Sequence, residues 1–224
     1  MKKLQEYFED VVNEFIHSRE SEFLEKDELH DFHISSGIKS AVTSKLVRDK
    51  HLMKERLQVI QKFVKSKNSA IVEAGIYMIP SVYGSEPHTS ENILESASRN
   101  DNWEIREFAS KTAGNILSID LDLFSNVIEK WTESGDKRLM RSAALALRRY
   151  SYNMPSSNCD RIMEMLDSMM NKNDPYMRRD PGPYTIGDSI LGNCKETAEI
   201  RRSENQEVRK NIVLILRDRK IFRN

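Results

Sequence analysis

A pattern that recurs every 31 to 37 residues constrains the fold of this chain more than any other sequence feature. An apolar residue is followed by a charged one, near the start of a segment whose apolar residues have the 3.6-residue spacing of a helix. The spacings are 33, 35, 37 and 31 residues between successive pairs: Val72-Glu73, Ile105-Arg106, Met140-Arg141, Met177-Arg178 and Val208-Arg209. A drifting period in the thirties, with two antiparallel helices per unit, is typical of an α-solenoid.

Short polar clusters separate the helical segments and predict turns that end in a helix N-cap. Examples are "KSKNS" at 65–69, "SRNDN" at 98–102 and "ESGDK" at 133–137. No alternating run of strand length is apparent, and there are only eight glycines and six prolines. We therefore predict an all-α fold, a right-handed α-solenoid of HEAT-like helical repeats.

The same period predicts the domain organisation. We expect one HEAT-like repeat domain over residues 1–224, with repeats in 51–224. The first 50 residues break the period and are expected to form an irregular cap of two or three helices. One helical hairpin cannot bury its own apolar face, so the hairpins must stack. The concave face of such a stack is a broad groove that suits a long ligand.

Charge and cysteine content bear on partners and compartment. The net charge is zero, but residues 1–135 hold 17 basic and 23 acidic residues, and residues 136–224 hold 18 and 12. This asymmetry favours an acidic partner for the second half. Cys159 and Cys194 fit neither a metal spacing nor a disulfide framework, and no apolar run has the roughly 18 residues of a membrane span. We therefore expect reduced cysteines and a cytoplasmic protein without a membrane segment.

The segment "DNWEIREFASK" (101–111) contains one of only two tryptophans. If the helix begins near Asn102, Trp103 and Glu107 lie on one face because they are one turn apart. Arg141 is the repeat equivalent of Arg106. Equivalent positions of stacked repeats are neighbours, so Arg141 is expected beside the Trp103–Glu107 turn.

Two segments of the chain resemble a known family. "WEIRE" (103–107) and "WTESGDKRLMRSAALAL" (131–147) are similar to the W-D-x-V-D turn and the W…L-R-R segment of bacterial HEAT-repeat alkylpurine DNA glycosylases of the AlkC/AlkD type. A third family segment aligns with "YMRRDPGPY" (176–184). In this alignment, the second aromatic residue that lines the family's active-site cleft falls on Pro183, and Tyr184 follows it. The resemblance covers roughly residues 55–220.

The resemblance implies the roles of particular residues. Trp103 matches the family's active-site tryptophan, and Glu107 matches its catalytic acid, where that branch usually has aspartate. Arg141 matches, within one residue, an arginine that faces DNA. The partner is expected to be alkylated duplex DNA, recognised through its backbone, and neither a metal nor a cofactor is implied. The further DNA-binding candidates are Arg138, Arg178, Arg179, Tyr184, Arg209 and Lys210.

Structural interpretations compete with these roles. Trp103 and Trp131 are both candidates for core anchors, since solenoid helices often carry one large aromatic residue per repeat. The repeated arginines are candidates for a structural ladder bonded to acidic residues or turn carbonyls. His30 and His33 have helical spacing for a metal, but no other ligands complete a set.

Two alternative functions also stay open. The first is a relative that binds DNA without cleaving it, for which the longer side chain of Glu107 is one argument. The second is a non-catalytic scaffold whose concave surface binds a protein partner.

Overall fold

The computed structural model describes residues 2–17, residues 34–170 and Cys194. Within these residues the secondary structure is helical and contains no strand. The helices are α1 (Lys2–His17), α2 (Ser36–Arg48), α3 (Arg56–Phe63), α4 (Ser69–Met78), α5 (Pro87–Ser98), α6 (Trp103–Ile119), α7 (Leu121–Glu133), α8 (Lys137–Ser151) and α9 (Cys159–Met170), with short 3₁₀ turns at Ile79–Ser81 and Ser156–Asn158. The predicted all-α class is confirmed.

Side-chain caps explain why several helices begin where they do. The Oδ1 of Asn68 accepts hydrogen bonds from the backbone of Ala70 (2.9 Å) and Ile71 (3.3 Å) at the start of α4. The carboxylate of Asp136 accepts from the backbone of Arg138 (2.9 Å) at the start of α8. Each cap satisfies backbone N–H groups that have no partner within their own helix. The clusters at 65–69 and 133–137 thus end in N-caps, as predicted.

The repeat register corresponds to buried positions near the starts of α4, α6 and α8. Val72, Ile105 and Met140 are all buried, which explains why an apolar residue recurs there. The charged residue that follows is buried in the first case (Glu73) and half-buried in the other two. The pairs at Met177 and Val208 lie outside the described residues.

The chain divides into two compact units, residues 1–112 and 113–224. In the first unit, α4 packs against α2 and α3. A Cβ on Gly75 would lie 2.7 Å from the Cβ of Phe63, so glycine permits the close approach of α3 and α4. The ring of Phe63 also meets that of Phe15 edge-on at 5.3 Å, which brings α1 into the same core. The single repeat domain with a cap at 1–50 stays a prediction.

Two lysines also hold α1 in the first unit. The ammonium group of Lys62 on α3 donates hydrogen bonds to the carbonyl oxygens of Phe15 and Ile16, near the end of α1. Lys45 on α2 forms an ion pair with Glu9 at 2.5 Å. The hydrogen bond from Lys45, with a second one from Gln5, holds the pKa of the Glu9 carboxyl below its ordinary value.

The second unit is built on α7, which packs against α8 and α9. Trp131 on α7 is only 2% exposed, and its ring meets that of Phe124 edge-on at 6.2 Å. The interpretation of Trp131 as a core anchor is therefore confirmed. On the surface of this unit, Arg161 on α9 forms an ion pair with Glu129 on α7 at 2.8 Å.

The expectation of reduced cysteines is wrong for this structure. Cys159 and Cys194 form a disulfide with a Cα–Cα distance of 5.4 Å, and both residues are buried. Their separation of 35 residues does not reveal this pairing, because proximity across such a separation is decided by tertiary packing. Among the described helices, none is both long and apolar enough to cross a membrane.

Gly114 offers a test of helix packing in the second unit. A Cβ there would lie 2.5 Å from the Cβ of Arg149 and 2.8 Å from the carbonyl oxygen of Ala146 on α8. We expect Gly114→Ala to lower the free energy of unfolding by about 1–3 kcal/mol, measured by urea denaturation. Gly37→Ala is the control, because a Cβ at Gly37 would have no neighbour within 4 Å. Equal stability of the two variants would contradict this account of α6–α8 packing.

Candidate functional site

A hydrogen-bonded turn sets the start of α6. The Oδ1 of Asn102 accepts a hydrogen bond from the backbone of Glu104 at 2.9 Å, so the predicted helix start is confirmed. The guanidinium group of Arg106 donates to the carbonyl oxygens of Asn100 (2.7 Å) and Asp101 (2.8 Å). These bonds fix the turn against the first turn of the helix that follows it.

The contacts of Arg106 can be compared with the interpretation in which the repeated arginines form a structural ladder. Its guanidinium group contacts carbonyls of the turn that precedes its own helix, rather than those of a neighbouring repeat. At this position the arginine serves structure, because it satisfies backbone oxygens that would otherwise need water. Arg106 is not among the predicted DNA-binding residues.

Trp103 is the first residue of α6 and is 64% exposed. The alternative in which it anchors the core is therefore wrong, since the first buried position of α6 is Ile105. The two tryptophans of the chain thus have opposite environments. Burial of this indole would stabilise the fold, and its exposed position forgoes that gain. Aromatic residues are enriched in the interfaces through which proteins bind partners.

Glu107 lies one helical turn after Trp103 on α6 and is half-buried. Four residues of helix advance about 6 Å and rotate by about 40°, so the two side chains leave the same face. This confirms the helical relation between Trp103 and Glu107 that the sequence predicted. The arrangement pairs an accessible aromatic ring with a carboxylate, a combination that can bind and stabilise a cation.

Phe108, the residue after Glu107, is surrounded by aromatic and cationic groups. The ammonium nitrogen of Lys39 on α2 lies 4.9 Å from the centroid of its ring, and that of Lys111 lies 5.2 Å away. The ring of Tyr77 meets it edge-on at 5.0 Å. Phe108 is itself buried, so these contacts hold the part of α6 that carries Glu107 against α2 and α4.

A buried ion pair supports this cluster. Lys39 pairs with Glu73 on α4, and their side chains are only 6% and 0% exposed. Burying either charge alone would cost several kcal/mol, so each depends on its partner. The repeat register includes Glu73 but does not relate it to Lys39, and no motif singles out Lys39 or Lys111. The i+4 spacing from Glu107 could have identified Lys111, but no local signal relates Lys39 to Glu73, 34 residues apart.

A separate cleft of about 470 Å³ lies on another side of the first unit. Val72 and Ile76 of α4, Ile93 of α5 and Ile105 of α6 contribute apolar walls. Ile105 is two residues from both Trp103 and Glu107, which places it on the opposite face of α6. The cleft is therefore distinct from the Trp103–Glu107 face.

The other predicted site residues fall into two groups. Arg141 (half-buried) and Arg138 (exposed) are on α8 in the second unit, whereas Trp103 and Glu107 belong to the first. The predicted approach of Arg141 to the Trp103–Glu107 turn stays a prediction. Outside the described residues lie His30, His33, Arg178, Arg179, Tyr184, Arg209 and Lys210. The described part of the chain holds no cluster of three or more His, Cys, Asp or Glu residues suited to a metal.

Comparison with known proteins decides the family. A family model described as DNA alkylation repair enzyme matches residues 5–180. The chain belongs to the DNA alkylation repair enzyme family. A comparison with individual curated proteins gives no significant match. The match includes Trp103, Glu107 and Arg141, and it confirms the resemblance to alkylation repair proteins.

The buried ion pair of this DNA alkylation repair family member can be tested by substitution. Lys39→Met leaves the buried Glu73 carboxylate without this cation, so we expect it to lower the free energy of unfolding by about 3–5 kcal/mol. Lys39→Met/Glu73→Leu should recover most of that loss, because it removes both charges. Urea denaturation measures both effects.

Lys45→Met is the matched control for this measurement. It breaks the exposed pair with Glu9, and we expect a loss of less than about 1 kcal/mol. If Lys39→Met were as mild as Lys45→Met, the buried pair would not hold α2 to α4.

Proposed function

We propose that the protein binds alkylated duplex DNA and hydrolyses the N-glycosidic bond of alkylated purines, with Glu107 and Trp103 in the catalytic site. Membership of the DNA alkylation repair enzyme family supports the substrate class. The observation that carries the site is the exposed indole of Trp103, one turn before the Glu107 carboxylate on α6.

The chemistry needs little beyond these two groups. Alkylation of a ring nitrogen makes the purine cationic and weakens its bond to the sugar. As that bond breaks, both electrons go to the base and positive charge develops on the deoxyribose. Glu107 stabilises this charge and orients a water molecule, whose oxygen bonds to the sugar and whose proton passes to solvent. The Trp103 ring adds a cation–π attraction of about 0.5–2 kcal/mol.

DNA contacts are proposed along successive repeats. Arg138 and Arg141 on α8 would bind phosphates, as would the basic residues outside the described ranges: Arg178, Arg179, Arg209 and Lys210. We also propose Tyr184 as a DNA-binding residue. Phosphate contacts fix the position of a duplex without reading its sequence, which suits recognition of a lesion through the backbone. We propose that the protein works in the cytoplasm together with its DNA substrate, although a disulfide such as Cys159–Cys194 is rare in cytosolic proteins.

Glu107→Gln tests the catalytic proposal. The amide keeps the size of the side chain but cannot carry the negative charge that stabilises the developing cation. We expect release of free base from a duplex containing 7-methylguanine to fall about 100-fold or more in single-turnover assays. Glu95→Gln is the matched control, because Glu95 is also half-buried but lies on α5 rather than on α6. It should retain nearly full activity.

The outcomes of this experiment separate the competing functions. If the wild-type protein releases no base yet binds duplex DNA, it is a non-catalytic DNA-binding member of the family. If it does neither, the scaffold interpretation replaces the proposal. A wild-type protein and a Glu107→Gln variant with equal activity would show that the carboxylate takes no part in the reaction.

Trp103 provides an optical test of where DNA binds. Trp131 is buried, so a Trp131→Phe variant leaves the exposed indole as the only tryptophan. We expect a duplex containing 7-methylguanine to change the intensity of its emission and to protect it from quenching by iodide. The converse variant, Trp103→Phe, is the control and should respond little. An unchanged Trp103 signal at saturating DNA would remove Trp103 from the site.

A further inference from the structure

Lys111 occupies the third position of the stripe that begins with Trp103 and Glu107. It follows Glu107 by one turn on α6, about 6 Å further along the axis. Its side chain is half-buried, and its ammonium group contacts the ring of Phe108. Among the described residues no ion pair to Lys111 is present. The face of α6 that offers an indole and a carboxylate therefore also offers a cation.

The Phe108 ring limits where this cation can be. The ammonium nitrogen of Lys111 lies 5.2 Å from the centroid, and the same ring is contacted by Lys39 at 4.9 Å and, in a T-shaped arrangement, by the ring of Tyr77. Lys39 is fixed in turn by its buried pair with Glu73. A lysine ammonium on a flexible four-carbon stem ordinarily samples many positions. Here the ring of Phe108, which is itself contacted by Lys39 of α2 and Tyr77 of α4, restricts it.

A cation at this place reduces the repulsion between the Glu107 carboxylate and the phosphates of the bound DNA. Glu107 must approach a sugar that is flanked by phosphates, and two anions repel each other. A positive charge one turn away offsets this repulsion and attracts the phosphate. The need is greater because residues 1–135 carry 17 basic residues against 23 acidic ones.

We propose that Lys111 contacts a phosphate of the bound duplex beside Glu107, and that Phe108 is the residue that positions it. This inference rests on the proposed function, because it takes DNA as the ligand. It adds a binding residue that the comparison with known proteins does not assign. Lys39 acts only through Phe108.

The salt dependence of DNA binding tests the contact. Each neutralised phosphate contributes about −0.9 to the slope of log Kobs against log salt concentration. We expect Lys111→Met to make the slope shallower by about that amount and to weaken binding about 10-fold at low salt. Lys111→Arg keeps the charge and should keep the wild-type slope. The duplex contains 7-methylguanine, and fluorescence anisotropy measures the affinity.

Lys54→Met is the matched control. Lys54 is exposed in the loop that follows the end of α2, whereas Lys39 lies near the start of that helix. Its loss should leave the slope unchanged. The thermal midpoint of each variant is also measured, since a lysine with only a structural role would change stability and not the salt slope.

A double-mutant cycle tests the positioning role of Phe108. Phe108→Leu keeps an apolar side chain but removes the aromatic face. We expect Lys111→Met to weaken binding clearly less in the Phe108→Leu background than in the wild-type background. Equal effects in both backgrounds would show that Phe108 does not position Lys111.

The results separate this inference from the proposed function. A Lys111→Met variant with the wild-type slope and affinity would overturn the inference and leave base release untouched. If Lys111→Met makes the salt slope shallower, but the wild-type protein binds DNA without releasing base, the inference is supported and the catalytic proposal is rejected. A wild-type protein without salt-dependent duplex binding would overturn both.

Discussion

The buried pair of Lys39 and Glu73 is the interaction on which the geometry of the first unit depends. Neither charge is stable in the interior alone, so the pair requires α2 and α4 to lie side by side. The same lysine also contacts the ring of Phe108, which adds α6 to the constraint. A polar contact in the core therefore fixes the helix that carries the candidate site.

The packing of α6 in the core also sets the positions of the proposed catalytic groups. Glu107 and Phe108 are adjacent in sequence, so one of them can belong to the core while the other faces accessible space. Trp103 stays exposed because it precedes the first buried position of α6 and because the turn before it is held by Arg106. The site is thus built on a helix rather than on a loop, which favours fixed distances between its groups.

Much of the fold was predictable from the sequence because its signals are local. A 3.6-residue period and a capping side chain act within one or two turns, so they predicted the helical segments, N-caps at the ends of the polar clusters 65–69 and 133–137, and the start of α6. Ile105 and Met140, which occupy equivalent positions of the repeat register, are both buried. Family membership was predictable from two short segments, "WEIRE" and the one that begins at Trp131.

The sequence by itself therefore determined the helical class, the family and the one-turn spacing of Trp103 and Glu107. Only the tertiary structure decided that Trp103 is exposed, that Cys159 pairs with Cys194 and that Lys39 meets Glu73 beneath the site. The physical reason is that periodicity specifies which face of a helix is apolar but not which helix covers it. Contacts between residues 34 or 35 positions apart arise only when whole helices pack.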